Sequence, residues 1–308
     1  MQLQVIQMVL PVLIMIGVGY LCKRTQIISA EGLRGLKSLL GEILLPVMLF
    51  NAFFTASYSL RVVVIFLAVF LGFGIALVLG FGLRRFVKPY GKFLPFLLAG
   101  GEGGMLGYAL YGLIAGSQTG FAVVDLGQTV FAFTVWLGIL RSMDGGKADV
   151  KSLVKNMFSN KCFLGMALGI VTGVLGLGNL VTDSTAGGIV SSVIGMFTAP
   201  ISAVVLLTVG YDINLKRDLL VPVTKTILLR LLVSGVLLLF SNLIVFSLFP
   251  FDKELEVALM VLYSLPAPFI LPIFAEAGED GEYVSTSLSV YTLVTVALFA
   301  AIVVYSVA

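Results

Sequence analysis

Long apolar stretches separated by short polar connections run along the whole chain. A stretch of roughly 18 or more apolar residues is long enough to cross a bilayer as a helix. On this pattern we predict ten transmembrane segments, numbered 1 to 10 in chain order: 3–22, 30–56, 60–86, 90–115, 119–140, 160–179, 186–210, 219–247, 254–277 and 283–306. The predicted fold class is therefore an all-α polytopic membrane protein.

Segments 4 and 9 are each interrupted near their middle. Segment 4 reads LAGGEGGM over residues 98–105, and segment 9 reads SLPAP over residues 264–268. Glycines hold a helix poorly and prolines remove backbone donors. Because lipid offers no water to the freed backbone groups, a break at this depth survives only where it lines a cavity. Matched breaks in two halves of a chain indicate the substrate site of a secondary transporter.

The two halves of the chain look related. The polar linker 141–160 divides them, and GEILLP at 41–46 aligns with GMFTAP at 195–200, half a chain length away. Five segments per half is an odd number, so the second repeat must cross the membrane in the opposite sense. We therefore predict a five-plus-five inverted repeat, with residues 1–145 forming the first repeat and 146–308 the second.

Basic residues lie mostly on one side of the predicted segments. The opposite side carries only Arg61 and Lys253. The basic side contains Lys23, Arg24, Arg34, Lys37, Arg84, Arg85, Lys88, Lys92, Arg141, Lys147, Lys151, Lys155, Lys161, Lys216, Arg217 and Lys225. Basic loops stay in the cytoplasm, so we expect a multi-pass plasma-membrane protein with both termini extracytoplasmic. Residues 1–5 lack the pattern of a signal peptide and are assigned to segment 1.

Composition argues against several classes of protein. Of 308 residues, 59% are hydrophobic and 11% charged, the net charge is +3, and there is no histidine. Cys22 and Cys162 have no metal-ligand or redox spacing, and no carboxylate forms a recognisable catalytic pair with Glu102. We expect no enzyme activity, no metal, no cofactor and no nucleic-acid partner. Membrane lipid is the expected environment.

Glu102 is the sharpest candidate for chemistry. A carboxylate near the bilayer centre costs on the order of 3 kcal/mol even on a lenient insertion scale, so it requires a compensating role. Three roles are open: a proton carrier, a ligand of a sodium ion, or a protonated hydrogen-bond donor. Half-helices beginning near Met105 and Ala267 would also direct N-terminal dipoles at the site, which favours an anion. Pro268 suits the start of such a half-helix.

Polar side chains at helical spacing complete the candidate site. Asp125 and Gln128 share one face of segment 5, and Ser289 and Thr292 share one face of segment 10. Such stripes usually face protein or water in a membrane helix. Arg230, deeper in segment 8, is expected to extend toward the cytoplasmic interface. The predicted substrate or ion site comprises Gly101, Glu102, Gly103, Gly104, Met105, Asp125, Gln128, Pro266, Ala267, Pro268, Ser289, Tyr291 and Thr292.

Several motifs together resemble a known family. They are Leu45-Pro46 followed by Phe50, the glycine-rich break ending in MLG at 105–107, PISAVVLLTVG at 200–210, and Pro266 leading to Ala275 before an acidic turn. In their order and layout the chain resembles bacterial members of the auxin efflux carrier family. The resemblance implies a scaffold of segments 1, 2, 6 and 7 and a mobile transport domain of segments 3–5 and 8–10. It also implies a homodimer joined through the scaffold and an organic-acid substrate such as malate or malonate.

The chain departs from the family pattern at the breaks. Glu102 stands where family members commonly carry an asparagine, and the break in segment 9 lacks the polar amide often found there. The extra negative charge points to a coupling proton or sodium ion, or to a substrate that is not strongly anionic.

Other kinds of membrane protein compete with this interpretation. A sodium-coupled carrier of the bile-acid symporter type shares the architecture but would want more carboxylate and amide ligands at the breaks. A channel would show rings of like side chains, which are not evident. A receptor or sensor that kept the carrier fold differs only in lacking transport.

Overall fold

The computed structural model describes residues 2–56, 58–143, 154–155, 158–182, 184–275 and 278–308. Every regular element among them is helical, which confirms the predicted all-α class. The principal helices are α1 (Gln2–Thr25), α2 (Ala30–Phe54), α3 (Leu60–Val87), α4 (Tyr90–Leu98), α5 (Gly103–Ala115), α6 (Thr119–Met143), α7 (Lys161–Val174), α8 (Leu177–Thr182), α9 (Gly187–Asp212), α10 (Arg217–Leu248), α11 (Lys253–Ser264) and α12 (Glu279–Val307). The middle of the predicted linker, with the repeat boundary at residues 145 and 146, lies outside the described residues.

Each of the ten predicted segments contains helix, but not all of them are helical throughout. In the described part of the chain, seven helices are long and apolar enough to cross a membrane, and α4 with α5 makes an eighth, bent by 41° at residues 99–102. The predicted interruption of segment 4 is therefore present. Segments 6 and 9 begin with shorter helices, of 14 residues in α7 and 12 residues in α11. The number of ten crossings stays a prediction.

The second half of segment 9 differs from its prediction. Over the described residues 265–275 the chain is irregular, apart from one short 3₁₀ turn at Leu271–Ile273. The expected half-helix beginning near Ala267 is therefore wrong. Its physical cause is proline content: Pro266 and Pro268 break the start, and Pro272 would fall in the interior of such a helix, where it removes a hydrogen bond and clashes with the preceding turn.

Glycines bring α7 directly against the backbone of α2. Gly165, Gly169 and Gly173 recur every fourth residue and so lie along one face of α7. A Cβ on Gly165 would lie 2.3 Å from the carbonyl oxygen of Pro46, and one on Gly169 would lie 2.5 Å from that of Phe50. Small residues at this spacing let membrane helices approach closely, so dispersion contacts between backbones hold the pair together.

Glycines also allow α1 and α9 to approach closely, here with one glycine on each helix. A Cβ on Gly19 would lie 2.0 Å from the carbonyl oxygen of Leu207, and one on Gly210 would lie 2.0 Å from that of Ile16. Helices α1, α2, α7 and α9, with α8 between α7 and α9, form the first group. Helices α3 to α6 and α10 to α12 form the second group, in which α3 packs against α4, α6 and α10, and α11 packs against α6, α10 and α12. The two groups meet where α1 contacts α12, where α9 contacts α5 and where α2 contacts α6.

The close approach of α7 to α2 generates a stability prediction. Gly169→Ala should lower the free energy of unfolding by about 1–3 kcal/mol, because its methyl group would overlap a backbone oxygen that cannot rotate away. Gly82→Ala on α3 is the matched control, since a Cβ there meets nothing within 4 Å and alanine favours helix. Thermal unfolding of both variants in the same detergent compares them. Equal midpoints would contradict the proposed packing.

Candidate functional site

The two breaks cross and are hydrogen-bonded to each other. The Glu102 backbone N–H donates to the carbonyl oxygen of Pro266 at 2.8 Å, and the Phe269 backbone N–H donates to Oε2 of Glu102 at 2.6 Å. Ala267 lies between these contacts and is buried. Backbone groups that each broken helix leaves free thus find partners in the other break, which we call the crossing (residues 97–105 and 264–269).

Glu102 also caps the helix that follows it. Its Oε1 accepts a hydrogen bond from the Met105 backbone N–H at 3.3 Å, and α5 begins at Gly103 with a π-helical turn. The helix therefore starts two residues before the position expected from the sequence. A carboxylate at this end is favoured because the first N–H groups of a helix lack internal partners and carry partial positive charge.

The glycines of the first break make room for specific neighbours. Gly100 has φ +81°, which favours glycine, and packs on Pro268, whose Cδ would lie 3.3 Å from an added Cβ. At Gly103 an added Cβ would lie 2.1 Å from Oδ1 of Asp125. At Gly104 nothing lies within 4 Å, and the residue is partly exposed. The crossing is thus closed around Gly100 and Gly103 and open beside Gly104.

The predicted polar face of α6 lies against the first break. The Gln128 side-chain amide donates to the carbonyl oxygen of Gly101. Asp125 is 1% exposed, and its Oδ2 accepts from the Thr129 hydroxyl at 3.0 Å. Among the described residues, no hydrogen bond of normal geometry reaches its Oδ1. The Tyr108 hydroxyl is nevertheless close enough to interact with this carboxylate. The structure therefore brings Asp125 and Gln128 together with Gly101 and Gly103.

Arg230 joins the ends of the two broken helices, and the expectation that it reaches the interface is wrong. The side chain is 3% exposed. Its Nη2 donates to the carbonyl oxygens of Gly100 at 2.8 Å and Leu265 at 2.6 Å, and its Nη1 donates to that of Leu97. The last carbonyls of α4 and α11 lack helical partners and carry partial negative charge. They hold the guanidinium inside because withdrawing it would leave them unsatisfied in an apolar region.

The polar residues predicted on α12 face two different environments. Tyr291 is buried, and its ring lies 4.8 Å from the Arg230 guanidinium in a cation–π arrangement. One turn further on, the Thr295 hydroxyl donates to the carbonyl oxygen of Ser264 at 2.6 Å. Tyr291 therefore packs against Arg230 at the crossing, whereas Ser289 and Thr292 line a cavity beside it.

A cavity of about 310 Å³ lies beside the crossing, between the two groups of helices. Phe269 of the second break, together with Ser289 and Thr292 of α12, lines one side of it. Lys37 of α2 and Asp212 of α9 line the other side and form an ion pair. The cavity thus joins polar residues of α12 and the rim of the crossing to a charged pair on the opposite helices.

Three contributors were missed by the sequence prediction. Arg230 carried a usable signal, because a lone cation deep in an apolar helix is a functional-site candidate by default. Lys37 resembled the other basic residues of the loops predicted to be cytoplasmic, so nothing in the sequence indicated that it would line the cavity. Phe269 contributes to the site through its backbone N–H, and the identity of a side chain does not predict a backbone hydrogen bond.

The long apolar helices are those of a multi-pass membrane protein. Residues 4–161, just over half of the chain, match the family described as membrane transport protein. The chain therefore belongs to this family, the auxin efflux carrier family, and the resemblance found in the sequence is confirmed. No curated protein matches the chain. The family match includes the glycine-rich break and ends at the start of α7.

The position of Arg230 generates a second stability prediction. Arg230→Met should lower the free energy of unfolding by at least about 3 kcal/mol, because each buried carbonyl left without a donor costs about 1–3 kcal/mol. Lys225→Met is the control, since it removes the same charge from an exposed position of the same helix. Denaturation of the purified variants would measure the difference. If both variants unfolded alike, Arg230 would have no part in joining the breaks.

Proposed function

We propose that this protein is a secondary active transporter that moves a small organic acid across the plasma membrane by alternating access. The observation that carries the proposal is that the broken helix α4–α5 crosses the irregular chain after α11, beside a cavity lined by both groups of helices. Irregular backbone at membrane depth is tolerated where it lines such a cavity, and it is a common construction of carrier sites. Alternating access would move one group of helices against the other around this site.

The helix contacts support a five-plus-five inverted repeat of residues 1–145 and 146–308. In such a repeat α1 corresponds to α7 and α2 to α9. The glycine-mediated contact of α2 with α7 then corresponds to that of α9 with α1, and both are backbone approaches of the same kind. We assign α1, α2, α7, α8 and α9 to a scaffold that forms a homodimer. The remaining helices form the transport domain, and both termini face outside, as the basic residues indicate.

Charge and polarity in the cavity support an anionic substrate. The Lys37 ammonium, hydroxyl groups of α12 and apolar side chains of the second break all line the cavity. Lys37 is paired there with Asp212, so a substrate carboxylate would compete with Asp212 for the ammonium. The hydroxyls and the apolar surface are suited to a short carboxylic acid such as malate or malonate. Glu102 and Asp125 add two carboxylates at the crossing, and either a proton or a sodium ion at these groups would offset their charge against that of the substrate.

Glu102→Gln tests the coupling. The substitution keeps the size of the side chain but removes its ability to ionise, so gradient-driven uptake of malonate or malate should be lost or uncoupled while the protein still folds. Uptake into proteoliposomes is measured over a range of pH and sodium concentrations. Glu42→Gln is the matched control, because Glu42 is half exposed and pairs with Lys161 away from the crossing.

Two outcomes would count against parts of this proposal. If Glu102→Gln took up substrate at the wild-type rate and with the wild-type dependence on pH and sodium, Glu102 would have no part in ion coupling. Failure of the wild-type protein to move any tested acid, with binding retained, would favour a sensor that kept the carrier fold.

A further inference from the structure

We propose that the Glu102 carboxylate occupies the position in which a carboxylate ligand would bind, and that it must leave before such a ligand enters. The inference deepens the proposed carrier function by naming a competitor for the substrate within the site itself. It rests on an anion-binding position that is built from both breaks and is filled by a side chain of this chain.

Two backbone N–H groups from separate helices define this position. Met105 N–H, from the first turn of α5, donates to one carboxylate oxygen of Glu102 at 3.3 Å. Phe269 N–H, from the second break, donates to the other oxygen at 2.6 Å. Two donors that converge on the two oxygens of one carboxylate form a receptor for any carboxylate of the same shape. The two N–H donors would bind the carboxylate of a free acid as well as that of a glutamate side chain.

One helix end favours an anion at this position, and the cavity gives it access. The N-terminal end of α5 directs the positive end of its dipole at the Glu102 carboxylate. The charge of Lys37 also acts on this carboxylate, but Lys37 is paired with Asp212, and the Asp125 carboxylate lies beside Gly103 of the same break. Phe269, which supplies one of the two donors, also lines the cavity that Lys37 borders. A small acid in this cavity is therefore adjacent to the position that Glu102 fills.

Free space beside the break lets Glu102 move. An added Cβ on Gly104 would meet nothing within 4 Å, and Glu102 itself is partly exposed. Its backbone hydrogen bond to Pro266 does not involve the side chain, so the carboxylate can swing away while the breaks stay joined. A substrate carboxylate would then exchange with the Glu102 carboxylate on the same two donors.

The experiment removes the tethered carboxylate and offers a free one. Purified wild type and Glu102→Ala are titrated with sodium formate, and their melting temperatures are compared with those in equal concentrations of sodium chloride. A ligand that binds the folded state raises its melting temperature by mass action. We expect a saturable rise on the order of 2 °C in Glu102→Ala and no specific rise in wild type. Glu42→Ala, which removes a carboxylate outside the crossing, should behave as wild type.

A second variant allows the same test if Glu102→Ala is too unstable for its melting temperature to be interpreted. Glu102→Asn retains a side chain suited to capping α5 but is too short to reach both donors, which leaves Phe269 N–H free. It should show a smaller formate-dependent rise. An equal rise in wild type, or none in either Glu102 variant, would overturn the proposal. Binding of formate in detergent needs no transport, so its failure is distinct from a failure to carry organic acids.

Discussion

The structure depends on satisfying the backbone N–H and C=O groups that are freed where two helices are interrupted in a region without water. Each break frees N–H and C=O groups that cost several kcal/mol apiece if they stay unpaired in an apolar region. Arg230 satisfies the carbonyl ends of both broken helices, and Glu102 satisfies N–H groups on both sides of the crossing. One buried cation and one carboxylate thus make irregular backbone stable at this depth, and each lies where the helix ends carry the opposite partial charge.

The hydrogen bonds at the crossing bear on the proposed movement, because they connect its parts into one unit. The crossing is tied internally through Glu102 and Arg230, and α12 adds Tyr291 and a hydrogen bond from Thr295. A cavity lies between the second break and helices α2 and α9, although α5 also contacts α9 directly. A unit that is hydrogen-bonded within itself, and that faces its neighbours partly across open space, can shift as a body. That is the physical basis for proposing that it carries a substrate.

The sequence predicts much of the fold because its information is local. Apolar runs gave the positions of the helices, and the glycines around Glu102 gave the break between α4 and α5. Predictions failed where the answer depends on distant residues. Arg230 stays buried because its partners, near Leu97 and Leu265, come from two other helices, and no local pattern reveals them. The half-helix expected from Ala267 does not form, because Pro272 would fall in its interior.

A reversible cross-link tests the central claim that the crossing moves against the scaffold. The Asn214 backbone nitrogen, after α9, lies 3.0 Å from the Ser289 hydroxyl of α12. Cysteines at these two positions, in a chain whose Cys22 and Cys162 are replaced by serine, can be oxidised to a disulfide in proteoliposomes. We expect oxidation to stop malonate or malate uptake, reduction to restore it, and each single-cysteine variant to be insensitive to both. Undiminished uptake in a fully cross-linked sample would show that transport needs no movement between these positions.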